Sequence, residues 1–200
     1  MPTSPPHAKP QDGLRARKRR ETQQRITETG IRLFLERGYD ATTLDDIAAA
    51  AGISRRTFFH YFKSKDDILV SLQSGMGAMI ADAVRTAPPT MRPLEAVRDA
   101  VLAVCGAVPA EEMREIDRLM RSSETVLARK QASYVEHERT LFAALRERWP
   151  EPEREAALRL VAMLAIGAIR LATEAFSQDG GAQTMVDRLR DAFETLRTEI

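Results

Sequence analysis

Apolar residues recur every three to four positions along almost the whole chain, and no stretch alternates apolar with polar residues. Ile26, Gly30, Leu33 and Phe34 form the first such stripe and predict a helix running from Leu14, ended by Gly38. Leu44, Ile47, Ala48 and Ala51 line a second helix. Thr43 suits its N-cap, and Asp45 and Asp46 suit its first turn. Gly52 can end that helix with a positive φ. Ser54 then caps a short third helix ending near Phe62, in which Phe58 and Phe62, four apart, face inward.

A new start at Ser64 opens a long helix carrying Ile68, Leu69, Leu72, Met76 and Ile80, which Pro88 and Pro89 break. Further helical stripes follow through Val97 to Val108, through Met113, Ile116 and Met120, and from about Glu124 to Trp149. The last two run from Leu160 to Phe176 and from Met185 to Leu196, parted by Gly180 and Gly181. The expectation is an all-α chain of about nine helices. Residues 1–13, rich in proline and polar groups, read as a disordered tail. Residues 14–64 read as a three-helix helix-turn-helix unit and residues 65–200 as a second helical unit.

Charge sharpens this division. Residues 1–65 hold 13 Lys and Arg against 7 Asp and Glu, a net of +6, and the remainder holds 17 against 22, a net of −5. A basic head on an acidic body fits a polyanion-binding module joined to one that is not. Cys105 is the one cysteine, so no internal disulfide can form, and a reducing cytoplasmic setting is expected. No run of about 18 uncharged apolar residues occurs, so no membrane span is expected. The N-terminus lacks the apolar stretch of a secretory signal.

The third helix concentrates candidate chemistry. With Phe58 and Phe62 inward, Arg55, Arg56, Thr57, Phe59, His60 and Tyr61 form a basic, aromatic outer surface. Arginine can grip guanine O6 and N7, and a threonine methyl can touch a thymine methyl. Tyr61, His60 and Lys65 can reach phosphates, which fix register without reading sequence. Ser54, Thr42 and Thr43, at helix starts, complete the candidate DNA contacts. The basic run Arg15, Arg17, Lys18, Arg19 and Arg20 has two readings: an arm following the minor groove, or the solvated start of helix one. An enzyme is not expected. The three histidines, His7, His60 and His137, are scattered, and no glycine-rich phosphate loop, nucleophile elbow or zinc-ligand cluster occurs. No metal and no cofactor are expected. A helical scaffold that binds only proteins is the remaining alternative.

The segment ERGYDATTLDDIAAAAGISRRTFFHYFKSKDDIL closely resembles the DNA-binding domain of TetR-type transcriptional regulators, over about residues 20–70. The resemblance implies a homodimer on a palindromic operator in double-stranded DNA. It implies repression more often than activation, and release by a small molecule held in the C-terminal domain. Two positions depart from the commoner pattern: Phe59 stands where tyrosine is frequent, without a hydroxyl for phosphate, and Arg56 stands where a small residue is frequent. For the effector, Met76, Met79, Met113, Met120 and Met163, with Phe142 and Trp149, are candidate pocket lining, because methionine adapts to irregular gaps. At helical spacing the same residues also read as plain core. Glu124, Tyr134 and His137 are candidate polar contacts. Val161, Leu164, Ala168 and Leu171, with Leu189 and Phe193 on the last helix, are the candidate dimer surface, where a partner pair would complete a four-helix bundle.

Overall fold

Caps and glycines cut an otherwise continuous helical pattern into short pieces. In this computed structural model, residues 10–121, 123–178 and 182–199 are described. Among them are nine α-helices, one 3-10 turn and no strand. The helices are α1 (Pro10–Arg37), α2 (Leu44–Ala50), α3 (Arg55–Tyr61), α4 (Lys65–Arg85), α5 (Pro93–Gly106), α6 (Ala110–Arg121), α7 (Glu124–Arg148), α8 (Glu155–Gln178) and α9 (Met185–Glu199). The 3-10 turn, Pro152–Arg154, leads directly into α8.

Helix α1 begins at Pro10, not at Leu14. Proline is welcome in a first helical turn, where its missing N–H would have no partner anyway. The other tail residues, 1–9, lie outside the described residues, as do Gly180 and Gly181. The chain divides into two compact units after Leu69. That is five residues beyond the boundary expected at Ser64, because Ile68 and Leu69 are fully buried in the core of the first unit.

In the first unit, α1 supplies buried Ile26, Leu33 and Phe34, α2 supplies Ile47, and α3 supplies Phe58. Gly30 faces Ile68, and a Cβ on it would lie 3.0 Å from Ile68 Cγ2, so the missing side chain lets these segments meet. Thr43 and Asp46 close a capping box. The Asp46 N–H donates to Thr43 Oγ1 at 3.1 Å, and the Thr43 N–H donates to Asp46 Oδ2 at 2.9 Å. The Thr43 hydroxyl, which donates to Asp46 Oδ2 at 2.6 Å, and then the Thr43 N–H hold the Asp46 carboxyl below its ordinary pKa. Gly52 adopts φ +66° and ends α2 while the Ile53 N–H reaches back to the Ala48 carbonyl at 3.0 Å. Ser54 then accepts from the Thr57 N–H and starts α3 at once.

In the second unit, α8 packs on α7, α9 and α5. One side of α8 buries Leu158, Ala162, Ala165, Ala172 and Phe176. Leu189 and Phe193 of α9 are 1% and 2% exposed and fill the same core. Trp149 caps α7, is buried, and donates its indole N–H to the Pro89 carbonyl at 3.3 Å. Pro152–Gln178 is long and apolar enough to cross a membrane by length and composition alone, but it carries Arg159, Arg170 and Glu174 and its alanine-rich side is core. Only 33% of its most apolar window is buried, so much of that apolar surface is left uncovered in the single chain.

Glycine at 52 and glycine at 75 should respond oppositely to alanine. Gly52→Ala forces a left-handed residue and is expected to lower unfolding free energy by about 1–2 kcal/mol. Gly75 lies within α4 with open space around it, so Gly75→Ala is expected to raise stability by about 0.5–1 kcal/mol. Urea unfolding followed by circular dichroism measures both.

Candidate nucleic-acid interface and ligand cavity

Phe58 and Phe62, 0% and 2% exposed, set the rotation of α3. Burying them turns Arg55, Arg56, Phe59 and His60 to solvent, with Thr57 and Tyr61 half-buried beside them. The Arg55 guanidinium donates to Asp45 Oδ2 on α2 at 2.8 Å and lies 5.6 Å from the Phe59 ring centre. Both members of this pair are exposed, so it is weak and can open for a stronger acceptor. The His60 and Tyr61 rings meet edge to face at 5.4 Å. Ser54 and Thr43 are exposed, and their hydroxyls serve as caps.

Thr42 does not belong to this surface. It is 1% exposed, and its hydroxyl lies 2.8 Å from the Gly38 carbonyl and 3.2 Å from that of Leu33. It therefore splices the end of α1 to the start of α2. Lys65 also has an internal role. Its ammonium donates to the Tyr39 carbonyl at 2.6 Å and sits 4.3 Å from the Tyr39 ring centre. The Tyr39 hydroxyl donates to Asp66, and burial together with that carboxylate pushes the phenol pKa up. At the start of α4, Asp67 accepts from the Lys63 and Ser64 N–H groups at 2.8 and 3.2 Å. The basic run Arg15 to Arg20 is helical and exposed on α1, not an extended arm, and Arg17 pairs with Glu21 at 3.2 Å.

The second unit holds an apolar cavity of about 150 Å³. Met76, Met113 and Met120 line it as expected, with Leu72, Ile80, Ile166 and Ile169. Four expected lining residues are elsewhere. Met79 is 56% exposed and Met163 is 47% exposed, on the outer side of α8. Phe142 lies half-buried with the guanidinium groups of Arg146 and Arg159 each 5.8 Å from its ring centre. Trp149 is the α7 cap described above. A residue's type suggested a pocket at these positions, but its rotation about the helix axis decided otherwise.

Gln73, Asp117, Lys130, Thr173 and Cys105 reach this cavity without having been singled out as lining, together with Tyr134 and His137, while Glu124 does not line it. They were hidden because each is one polar position within an apolar stripe. Asp117 is 7% exposed, pairs with Arg121 at 3.0 Å and accepts from the Ser177 hydroxyl at 2.9 Å. Desolvation lowers the pKa of Lys130 against the opposing pull of Asp117, and it lowers that of His137. Burial pushes the Cys105 thiol up to about 11.

The candidate dimer residues separate in the same way. Leu171 is 66% exposed and Leu164 and Val161 are partly exposed, whereas Ala168, Leu189 and Phe193 are buried within their own chain. Leu160 and Met163, unforeseen there, extend the outer stripe with Leu164, Gly167 and Leu171.

Residues 26–72 match the family model described as bacterial regulatory proteins, tetR family, and residues 91–200, more than half of the chain, match that of the MftR C-terminal domain. The transcriptional regulator TcmR of Streptomyces glaucescens is 35% identical over 105 residues, which cover 52% of this chain and 46% of TcmR. The chain thus spans about half the length of the curated relatives it matches, or less. A TetR-family regulator from Syntrophomonas wolfei superposes with a TM-score of 0.63 at 18% identity, covering 90% of this chain and 95% of that one. The repressor FadR of Thermus thermophilus, in complex with lauroyl-CoA, superposes with a TM-score of 0.53 at 19% identity, covering 88% and 93%. At such identities the likeness establishes the fold.

The raised thiol pKa makes Cys105 slow to react. At pH 8 the native protein is expected to consume Ellman's reagent roughly a hundredfold more slowly than a free cysteine, with the normal rate restored in urea. Equal rates in both states would place the thiol outside the cavity wall.

Proposed function

The chain belongs to the TetR family of bacterial transcriptional regulators, and from that premise we propose that it binds double-stranded DNA as a two-fold homodimer and represses transcription until a small molecule releases it. One observation carries the reading: burial of Phe58 and Phe62 turns the cationic, aromatic side of α3 to solvent. That side suits the major groove, with Arg55 and Arg56 as readers of base edges and His60 and Tyr61 against phosphates. Phe59, lacking a hydroxyl, packs on the sugar-phosphate surface instead. Arg55 exchanges its exposed Asp45 partner for a guanine edge. Arg17 and Lys18, on the exposed start of α1, add sequence-independent phosphate attraction.

The outer stripe of α8 is the proposed dimer face. Leu160, Met163, Leu164 and Leu171 together with Gly167 present apolar surface that a single chain leaves wet. A second copy related by a two-fold axis covers the same stripe with itself, which makes the operator palindromic. The cavity of the second unit is the proposed effector site. The complex of FadR with lauroyl-CoA supports a ligand-holding helical unit in this fold.

A mobility shift with DNA from upstream of the protein's own gene tests the DNA reading. Arg55→Ala is expected to cost about 1–3 kcal/mol and to relax preference at one base pair. Lys65→Ala, which removes the ammonium that ties α4 to the Tyr39 carbonyl, is expected to loosen the unit and so to weaken all sequences about equally. An even loss for Arg55→Ala would assign it to phosphate. In sedimentation at micromolar concentration the wild type is expected to run as a dimer and Leu171→Arg as a folded monomer with weakened operator binding. A Leu171→Arg dimer would move the interface elsewhere.

A further inference from the structure

We propose that the cavity takes a neutral, ring-sized apolar molecule bearing one hydroxyl, a phenol or cyclic alcohol, whose O–H is donated to Gln73. The proposal rests on the reading of this cavity as the effector site and names the class of effector.

Size is the first constraint. The cavity measures about 150 Å³. An engineered apolar cavity of about 150 Å³ accepts benzene. Leu72, Met76, Ile80 and Met113 form apolar wall, so most of a guest meets carbon and sulfur. Methionine walls adjust to ring shape at little cost.

Charge is the second. Lys130 is the one cationic side chain in the lining, and it is already matched. Asp117 and Glu174 attract it while Arg121 opposes it, two charges of each sign in one cluster. Asp117 is in turn held by Arg121 and Ser177. A carboxylate entering here would lose its hydration and meet no surplus positive charge. His137 adds none, since desolvation favours its neutral ring.

The third constraint is an unused acceptor. Gln73 lines the cavity, and its Oε1 is buried with no hydrogen-bond partner among the described residues. The other neutral oxygens are engaged: the Tyr134 hydroxyl interacts with Thr173, and the Thr173 hydroxyl donates to the Ile169 carbonyl at 2.7 Å. A buried acceptor without a donor carries its full desolvation penalty, and a guest hydroxyl removes it. The terminal torsion of glutamine is broad, so the amide can turn toward a guest. One turn along α4, Gly77 faces His137, where a Cβ would lie 3.1 Å from the imidazole Cδ2. The missing side chain lets the His137 imidazole close against α4 beside Gln73, so this wall of the cavity is a neutral ring.

Isothermal titration of the full chain without DNA tests this with three single-ring probes of similar size: toluene, 4-methylphenol and benzoate. The phenol is expected to bind about five- to tenfold more tightly than toluene, and the benzoate more weakly than either. Gln73→Leu is expected to bring phenol and toluene within about twofold of each other, and Gln73→Met should do the same if the leucine variant folds poorly. Tighter binding of the benzoate would overturn the proposal in favour of an anion site at Lys130. A phenol preference that survives both variants would overturn the role of Gln73, and no binding by any probe would overturn the ring-sized cavity. A phenol that binds but leaves the operator complex intact in a mobility shift would support the ligand class and sink the effector reading alone.

Discussion

Burial of Phe58 is the constraint on which the DNA-facing half depends. A helix of seven residues is far too short to persist in water, where isolated helices below about 12 residues are marginal. α3 therefore exists because Phe58 and Phe62 are packed away, Ser54 caps its start and Gly52 permits the sharp turn before it. Truncating a fully buried phenylalanine typically costs about 3–5 kcal/mol, a large share of a small unit's stability. Recognition chemistry and folding are thus coupled in one short segment. The outer residues can change without unfolding the helix, while the two inner rings cannot.

The second unit is organised around α8 in a different way. One side of that helix is small and buried, so neighbouring helices come close, and the other is large, apolar and exposed. A helix apolar on nearly every side normally belongs in the middle of a larger assembly. The cavity lies on the inner side, away from the exposed stripe, with residues from α4, α5, α6, α7, α8 and α9 contributing to its wall. Occupying it and covering the outer stripe are therefore separate events on opposite faces of the same element.

Fold class, element order and most caps were legible in the sequence because they depend on local chemistry. Thr43, Gly52 and Ser54 act where their types suggest, and Phe58 and Phe62 point inward as their spacing requires. Legibility failed where a side chain's role is set by what crosses it. Thr42 and Thr43 are neighbours of one type, yet one is sealed beneath the α1 carbonyls and the other is an open cap. Lys65 is basic like Arg55 and Arg56, but Tyr39, distant in sequence, captures its ammonium. Met76 and Met79 differ by three positions, and only the former lines the cavity. Gln73 carried no signal at all, since one glutamine in an apolar stripe looks like an ordinary surface position until its burial is known. The two units divide after Leu69, five residues past Ser64, because the core of the first unit runs on through Ile68 and Leu69, which a helix start at Ser64 does not reveal.

Trp149 has a practical consequence. It is the sole tryptophan of the sequence, and it sits buried at the end of α7, belonging wholly to the unit after Leu69. The preceding unit has Tyr39 and Tyr61 but no indole. Indole emission is therefore a native optical gauge of the unit after Leu69 and blind to the other, so the unfolding of that half can be followed on its own without attaching any dye.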